Sequence, residues 1–166
     1  MMADIASMGG ELFVMDDGWF GDKYPRKNDS SSLGDWVVDK NKLPNGIEGL
    51  LSDAKKHGVK FGIWIEPEMA NTTSELYEKH PDWVLKASER DVVLGRGGTQ
   101  VVLDLANPAV QDFVFGVVDN LMTSYPEIDY IKWDANMSVQ NHGSQYLTKD
   151  NQSHMYIEFH RGFEKI

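Results

Sequence analysis

Ile128-Asp129-Tyr130-Ile131-Lys132-Trp133-Asp134-Ala135-Asn136 is the stretch that decides how this chain folds. Ile128, Tyr130 and Ile131 favour a strand, and the run is short enough for one buried in a parallel sheet. It then ends in a cation, an indole, a carboxylate and an amide. Parallel α/β sheets bind ligands off the carboxyl ends of their strands, so Lys132, Trp133, Asp134 and Asn136 read as one stave of a site. Working outward, other apolar runs end in the same way. Glu11 to Met15 runs into Asp16-Asp17-Gly18-Trp19-Phe20-Gly21. Val59 to Ile65, which includes Trp64, runs into Glu66-Pro67-Glu68-Met69, and Pro67 cannot continue a central strand. Val101 to Leu105 carries Asp104 within its end.

Helical signals separate these runs. Met1 to Met8 reads as a helix stopped by Gly9-Gly10. Ile47, Leu50, Leu51 and Ala54 fall at helical spacing before a stop at Gly58, with Lys55, Lys56 and His57 complementing the last turn. Thr72 or Thr73 is placed to cap a short helix that Pro81 ends. Asn107-Pro108 is an N-cap followed by proline, and Val110, Phe113, Val114, Val117, Val118 and Leu121 form one wide apolar face. Two arms, Trp83 to Lys86 and Val92 to Gly95, flank a polar turn and predict a hairpin. Ser138 to Ser153 reads as polar loop, and Met155 to Ile166 as an amphipathic helix. The connection from Phe20 to Asn45 has little periodicity; it is expected to be an ordered cover over a site, with Trp36 as its anchor.

Alternating strands and helices mean a parallel sheet with crossover helices. No glycine-rich phosphate turn follows the first strand, and Gly95-Arg96-Gly97 precedes a strand and not a helix, so it is not a dinucleotide turn. The expected fold class is α/β, as a partial (β/α)8 TIM barrel of about strands 2–5 with their helices. A complete barrel takes ~250 residues, so residues 1–166 are expected to be a single segment of a catalytic barrel, truncated at both ends.

Bulk properties narrow the function. The net charge of -10 disfavours nucleic-acid phosphates and anionic membrane surfaces as partners. No apolar run approaches the ~20 residues of a transmembrane helix. Met1 to Gly10 lacks the features of a signal peptide. There are no cysteines, which excludes disulfides and thiolate metal sites but leaves the compartment open.

Each acidic residue has a plain structural reading. Asp16 and Asp17 suit a solvated turn. Asp104 suits a tie to the loop beside Asn107, and Glu66 suits an ion pair with Lys132. Against this stands the repetition of acids at one face. Carboxylates, amide and lysine can bind sugar hydroxyls, and a pair of carboxylates can flank a glycosidic bond. A hard divalent cation held by Asp16, Asp17, Glu66 and Asp104 in a lyase is an alternative. So is a non-catalytic sugar-binding fragment.

The motifs Asp16 to Gly21, Leu33-Gly34-Asp35-Trp36, Gly62 to Met69, Val102 to Leu105 and Lys132 to Asn136 occur in that order over nearly the whole chain. In this they resemble the retaining α-galactosidases of glycoside hydrolase family 36. The resemblance implies the central (β/α)8 barrel of such an enzyme, needing no metal or other cofactor. It implies hydrolysis of terminal α-D-galactose from α-galactosides of the melibiose and raffinose type, with galactosyl transfer within the same superfamily as an alternative. A homo-oligomeric parent enzyme is compatible with it. By the same resemblance Asp134 is the nucleophile. Asp16 and Asp17 bind the galactose O4 and O6 hydroxyls, Trp64 lines the pocket, and Lys132 and Arg96 contact the sugar. Trp133 and Asn136 belong to the same substrate-contacting motif. The general acid/base is expected on a strand beyond Ile166.

Overall fold

The structure is a computed structural model and describes residues 1–140 and 142–166. In chain order, α1 (Met2–Ser7) leads to β1 (Leu12–Met15), α2 (Gly46–His57) and β2 (Lys60–Ile65). A short excursion follows, formed by β3 (Met69–Asn71), α3 (Glu75–Lys79) and β4 (Gln100–Val102). Then come α4 (Pro108–Ser124), β5 (Tyr130–Trp133) and α5 (Met155–Glu164).

β1, β2 and β5 form one parallel sheet in the order β1-β2-β5. Phe13 sits opposite Phe61, and Ile63 opposite Ile131. The central strand is almost wholly buried, while both outer strands are half-exposed. Leu12 and Tyr130, one on each outer strand, are among the exposed large hydrophobic residues. Gly62 marks the tight seam between β2 and β5. A Cβ there would lie 3.0 Å from the Tyr130 carbonyl oxygen and 3.1 Å from its ring.

Three expectations are corrected. Among the described residues the sheet has three parallel strands, not four. Residues 100–102 pair antiparallel with β3 instead of joining it. Pro67 removes the donor that would extend the β2 ladder, so the chain turns out and pairs locally. An apolar run such as Val101 to Leu105 reads alike in either setting. The predicted hairpin is also absent. Its two arms bridge the β4 segment separately, Val84 to Leu103 and Gly95 to Gln100. Finally, Ser74, and neither threonine, caps α3 by accepting from the Tyr77 N–H.

Other local signals act as their chemistry requires. Asn107 Oδ1 accepts from the Ala109 N–H at 3.0 Å, with Pro108 in the first turn of α4. Gly58 closes α2 at φ 68°, in the left-handed region. The face of α4 is shared between two apolar cores. Val117 and Leu121 join the core around the parallel sheet, and Val110 and Val114 join the one around β3 and β4. The connection after β1 is pinned down by aromatics. Trp36 packs on Trp19, Phe20 and Trp64, with ring centroids 4.6–6.2 Å apart.

Candidate active site

β1, β2 and β5 are parallel, so their carboxyl ends open on one side of the sheet, where Asp16, Glu66 and Asp134 follow them. On β5 the side chains alternate: Lys132 and Asp134 share one face, and Trp133 takes the other. Asp134 is held by three donors. Asn136 Nδ2 lies 2.8 Å and Trp64 Nε1 3.1 Å from its Oδ2, and the Ala135 N–H lies 3.0 Å from its Oδ1. These bonds, that from Asn136 first, lower its pKa below the ordinary aspartate value. Asp134 is therefore an anion at neutral pH, partly open to solvent, which suits a nucleophile.

Asp16 accepts from Lys132 Nζ at 2.9 Å, which lowers the aspartate and raises the lysine. Lys132 thus pairs with Asp16 and not with Glu66. Asp17 is gripped at both oxygens by Arg26, whose Nε and Nη2 lie at 2.7 and 2.6 Å. Trp64 is only 2% exposed, with Phe20 stacked 6.1 Å from it at 4°. It offers the site an N–H and not a face for stacking.

The structure bonds Asp16 to Lys132, and Trp64 and Asn136 to Asp134; Trp64 and Lys132 are register partners on neighbouring strands, and Asp17 adjoins through Asp16. It does not bring in Trp133 or Arg96. The Trp133 indole donates to Glu68 Oε2 at 2.7 Å, because alternation turns it away from Lys132 and Asp134. Arg96 pairs with Asp29 at 3.2 Å on an exposed turn. Asp104 is fully buried, accepting from Ser144 and the Ala106 N–H, so it ties down the loop after β5. The carboxylates invoked for a divalent cation therefore have separate partners. Among the described residues no three acidic or histidine side chains gather to hold a metal ion.

Nothing in the sequence singles out Arg26 or Glu68, and Glu66 stands there among the strand-end acids as an ion-pair partner of Lys132 or a cation ligand. Glu66 is fully buried, and its Oε1 accepts from the Asn136 N–H at 2.6 Å, which supports the residue that holds Asp134. Burial raises its pKa. Burial also pushes Glu68 up from 4.5 to about 7. Glu68 then keeps in the folded state a proton that it loses from about pH 4.5 when unfolded. The resulting stability is complete below that pH and is lost as pH rises through 7. Over this interval the loss should reach about 3 kcal/mol. Glu68→Gln should flatten this fall, read as unfolding midpoints of the chain between pH 5 and pH 8. An unchanged slope would assign the fall to another group.

Comparison with known proteins shows which family the chain belongs to. Residues 1–164 match the family profile described as Melibiase. The chain belongs to the melibiase family. It is 47% identical over 141 residues to a probable α-galactosidase C of Aspergillus flavus, covering 81% of this chain and 18% of that protein. The crystal structure of an α-galactosidase from Lactobacillus brevis superposes with a TM-score of 0.91 at 40% identity, covering 99% of this chain and 21% of that one. The family 36 α-galactosidase AgaA of Geobacillus stearothermophilus, in a variant solved with raffinose, gives a TM-score of 0.90 at 40% identity, covering 99% and 22%. The chain thus spans about a fifth of the length of these melibiase relatives.

Proposed function

We propose that this chain is a segment of the (β/α)8 catalytic barrel of a retaining α-galactosidase, with Asp134 as the nucleophile. The observation that carries the reading is the Asp134 carboxylate at a strand end, ionised and aimed by Trp64, Asn136 and the Ala135 N–H. Three parallel strands joined by crossover helices, with half-exposed outer strands, support a continuing barrel. The relatives named α-galactosidase support the substrate class.

Asp134 attacks the anomeric carbon. A C1–O bond to its carboxylate forms as the glycosidic C1–O bond breaks, and the leaving oxygen takes a proton from a second carboxyl group, which arrives as the acid and is left as the carboxylate. Water then attacks C1, yields a proton to that second carboxylate, and releases galactose and free Asp134. Asp16 and Asp17 accept from the sugar's O4 and O6 hydroxyls. Lys132 donates to ring hydroxyls while holding Asp16 in place. Asn136 and Trp64 keep Asp134 charged and oriented. Arg96, exposed and paired with Asp29, is left for the outer part of a longer galactoside.

The test is covalent trapping. A full-length family enzyme carrying these residues is treated with a mechanism-based fluorogalactoside and digested, and the labelled peptide is sequenced. The label is expected on Asp134. A label elsewhere, or none under conditions where the enzyme turns over, would remove Asp134 from the role.

A further inference from the structure

We infer that Arg26, locked by Asn71, is a positioning residue that sets the Asp17 carboxylate for the sugar; this rests on the galactoside reading of the site. Arg26 is 4% exposed, although it stands in a polar connection between elements. Its guanidinium is used on every side. Nε and Nη2 form a two-pronged pair with Asp17. Nη1 donates to the Ser31 carbonyl at 2.8 Å and to Asn71 Oδ1 at 3.0 Å. The Phe20 ring lies 5.4 Å from its centre, and Phe20 in turn stacks on Trp64, which donates to Asp134.

Asn71 gives the lock its rigidity. It is fully buried on β3, where its Oδ1 also accepts from the Leu33 N–H at 2.9 Å. Its Nδ2 donates to the Asp29 carbonyl at 2.9 Å and to Thr99 Oγ1 at 3.2 Å. One amide thus ties the cover loop to the excursion and fixes the arginine between them.

The carboxylate of Asp17 remains partly exposed, at 28% for its side chain. A carboxylate has about four acceptor positions, and Arg26 takes two of them. The other two face away from the guanidinium, and the planar fork fixes their direction. A lysine would supply the charge but not the plane. The open carboxylate directly follows Asp16, whose Oδ1 accepts from the Asp17 N–H at 2.8 Å and whose Oδ2 accepts from Lys132.

The test is a double-mutant cycle in a full-length family enzyme carrying this segment, read as kcat, KM and the inhibition constant of galactose. Asp17→Asn and Arg26→Lys should each raise KM and the galactose constant by about tenfold or more, with kcat less affected. In the Asp17→Asn background, Arg26→Lys should add less than about threefold, because both changes remove one interaction. Arg26→Gln, shorter and uncharged, is the second variant and should behave as Arg26→Lys does. Circular dichroism spectra and melting curves establish that each variant folds. If Asp17→Asn acts while both Arg26 variants are silent, or if their losses multiply, the positioning role is overturned and the galactoside reading stands. If Asp17→Asn itself leaves galactose binding unchanged, the sugar-binding role of Asp17 fails, and the inference with it.

Discussion

Alanine at position 134 should leave a full-length family enzyme folded and lower its kcat by about four orders of magnitude or more. The fold should survive because Asp134 is partly exposed and none of its three donors depends on it for burial in an apolar core. Trp64 keeps its packing on Phe20 and Trp36, and the Trp64 carbonyl still accepts from the Trp19 indole at 2.9 Å. Turnover should fail because no neighbouring carboxylate can take over the attack. Asp16 is tied to Lys132, and Glu66 and Glu68 are buried, at 0% and 6% exposure. Azide sharpens the test. With an aryl α-galactoside, whose leaving group needs little protonation, azide can enter the space vacated on the nucleophile's face of the sugar. The product should be the β-galactosyl azide, of inverted configuration. An α-azide product would instead mark position 134 as the acid/base, and undiminished kcat would remove it from the chemistry.

The sequence made the ends of strands easier to read than the pairing between them. An apolar run closed by acids is the same object whether its neighbours are known or not. The grouping of Asp16, Lys132, Asp134 and Asn136 is therefore legible in the sequence itself. The pairing of β3 with β4 was not, because Met69-Ala70-Asn71 is too short to show a period and the apolar run at 101–105 fits either kind of sheet. Trp133 stood within reach of the sequence, since period-two alternation alone separates it from Lys132 and Asp134. Arg26 had no such signal. Its partners Asp17, Ser31 and Asn71 lie nine, five and forty-five residues away, and only the folding of an aperiodic connection brings them together. Trp64 was legible as a site residue but not in its manner of use, because exposure decides whether an indole offers a face or an N–H.

These 166 residues, purified alone, should not hydrolyse an unactivated galactoside such as melibiose. Retaining cleavage needs two carboxyl groups about 5–5.5 Å apart across the scissile bond, and one of them must arrive protonated. On the proposed reading Asp134 is the first, and the structure describes candidates for the second. Asp16 sits beside it, but its pairing with Lys132 lowers its pKa and keeps it an anion. Glu68, at about 7, has the pKa of a proton donor. However, it is 6% exposed, and its carboxylate is engaged by the Trp133 indole on the other face of the sheet. Glu66 is fully buried, with one oxygen on the Asn136 N–H. Glu158 is paired with Arg161 at 2.6 Å on α5. None of these is both protonated and open to a leaving oxygen above Asp134. On the proposed reading the acid comes from elsewhere in the barrel. An aryl galactoside with a good leaving group depends less on that acid, so slow labelling of Asp134 by such a substrate is compatible with the reading. The measurement is galactose release from melibiose by the purified chain, with mass spectrometry confirming its length. Sustained release, abolished by Asp134→Ala, would show that the chain holds its own acid. Glu66→Gln, Glu68→Gln and Glu158→Gln would then identify it.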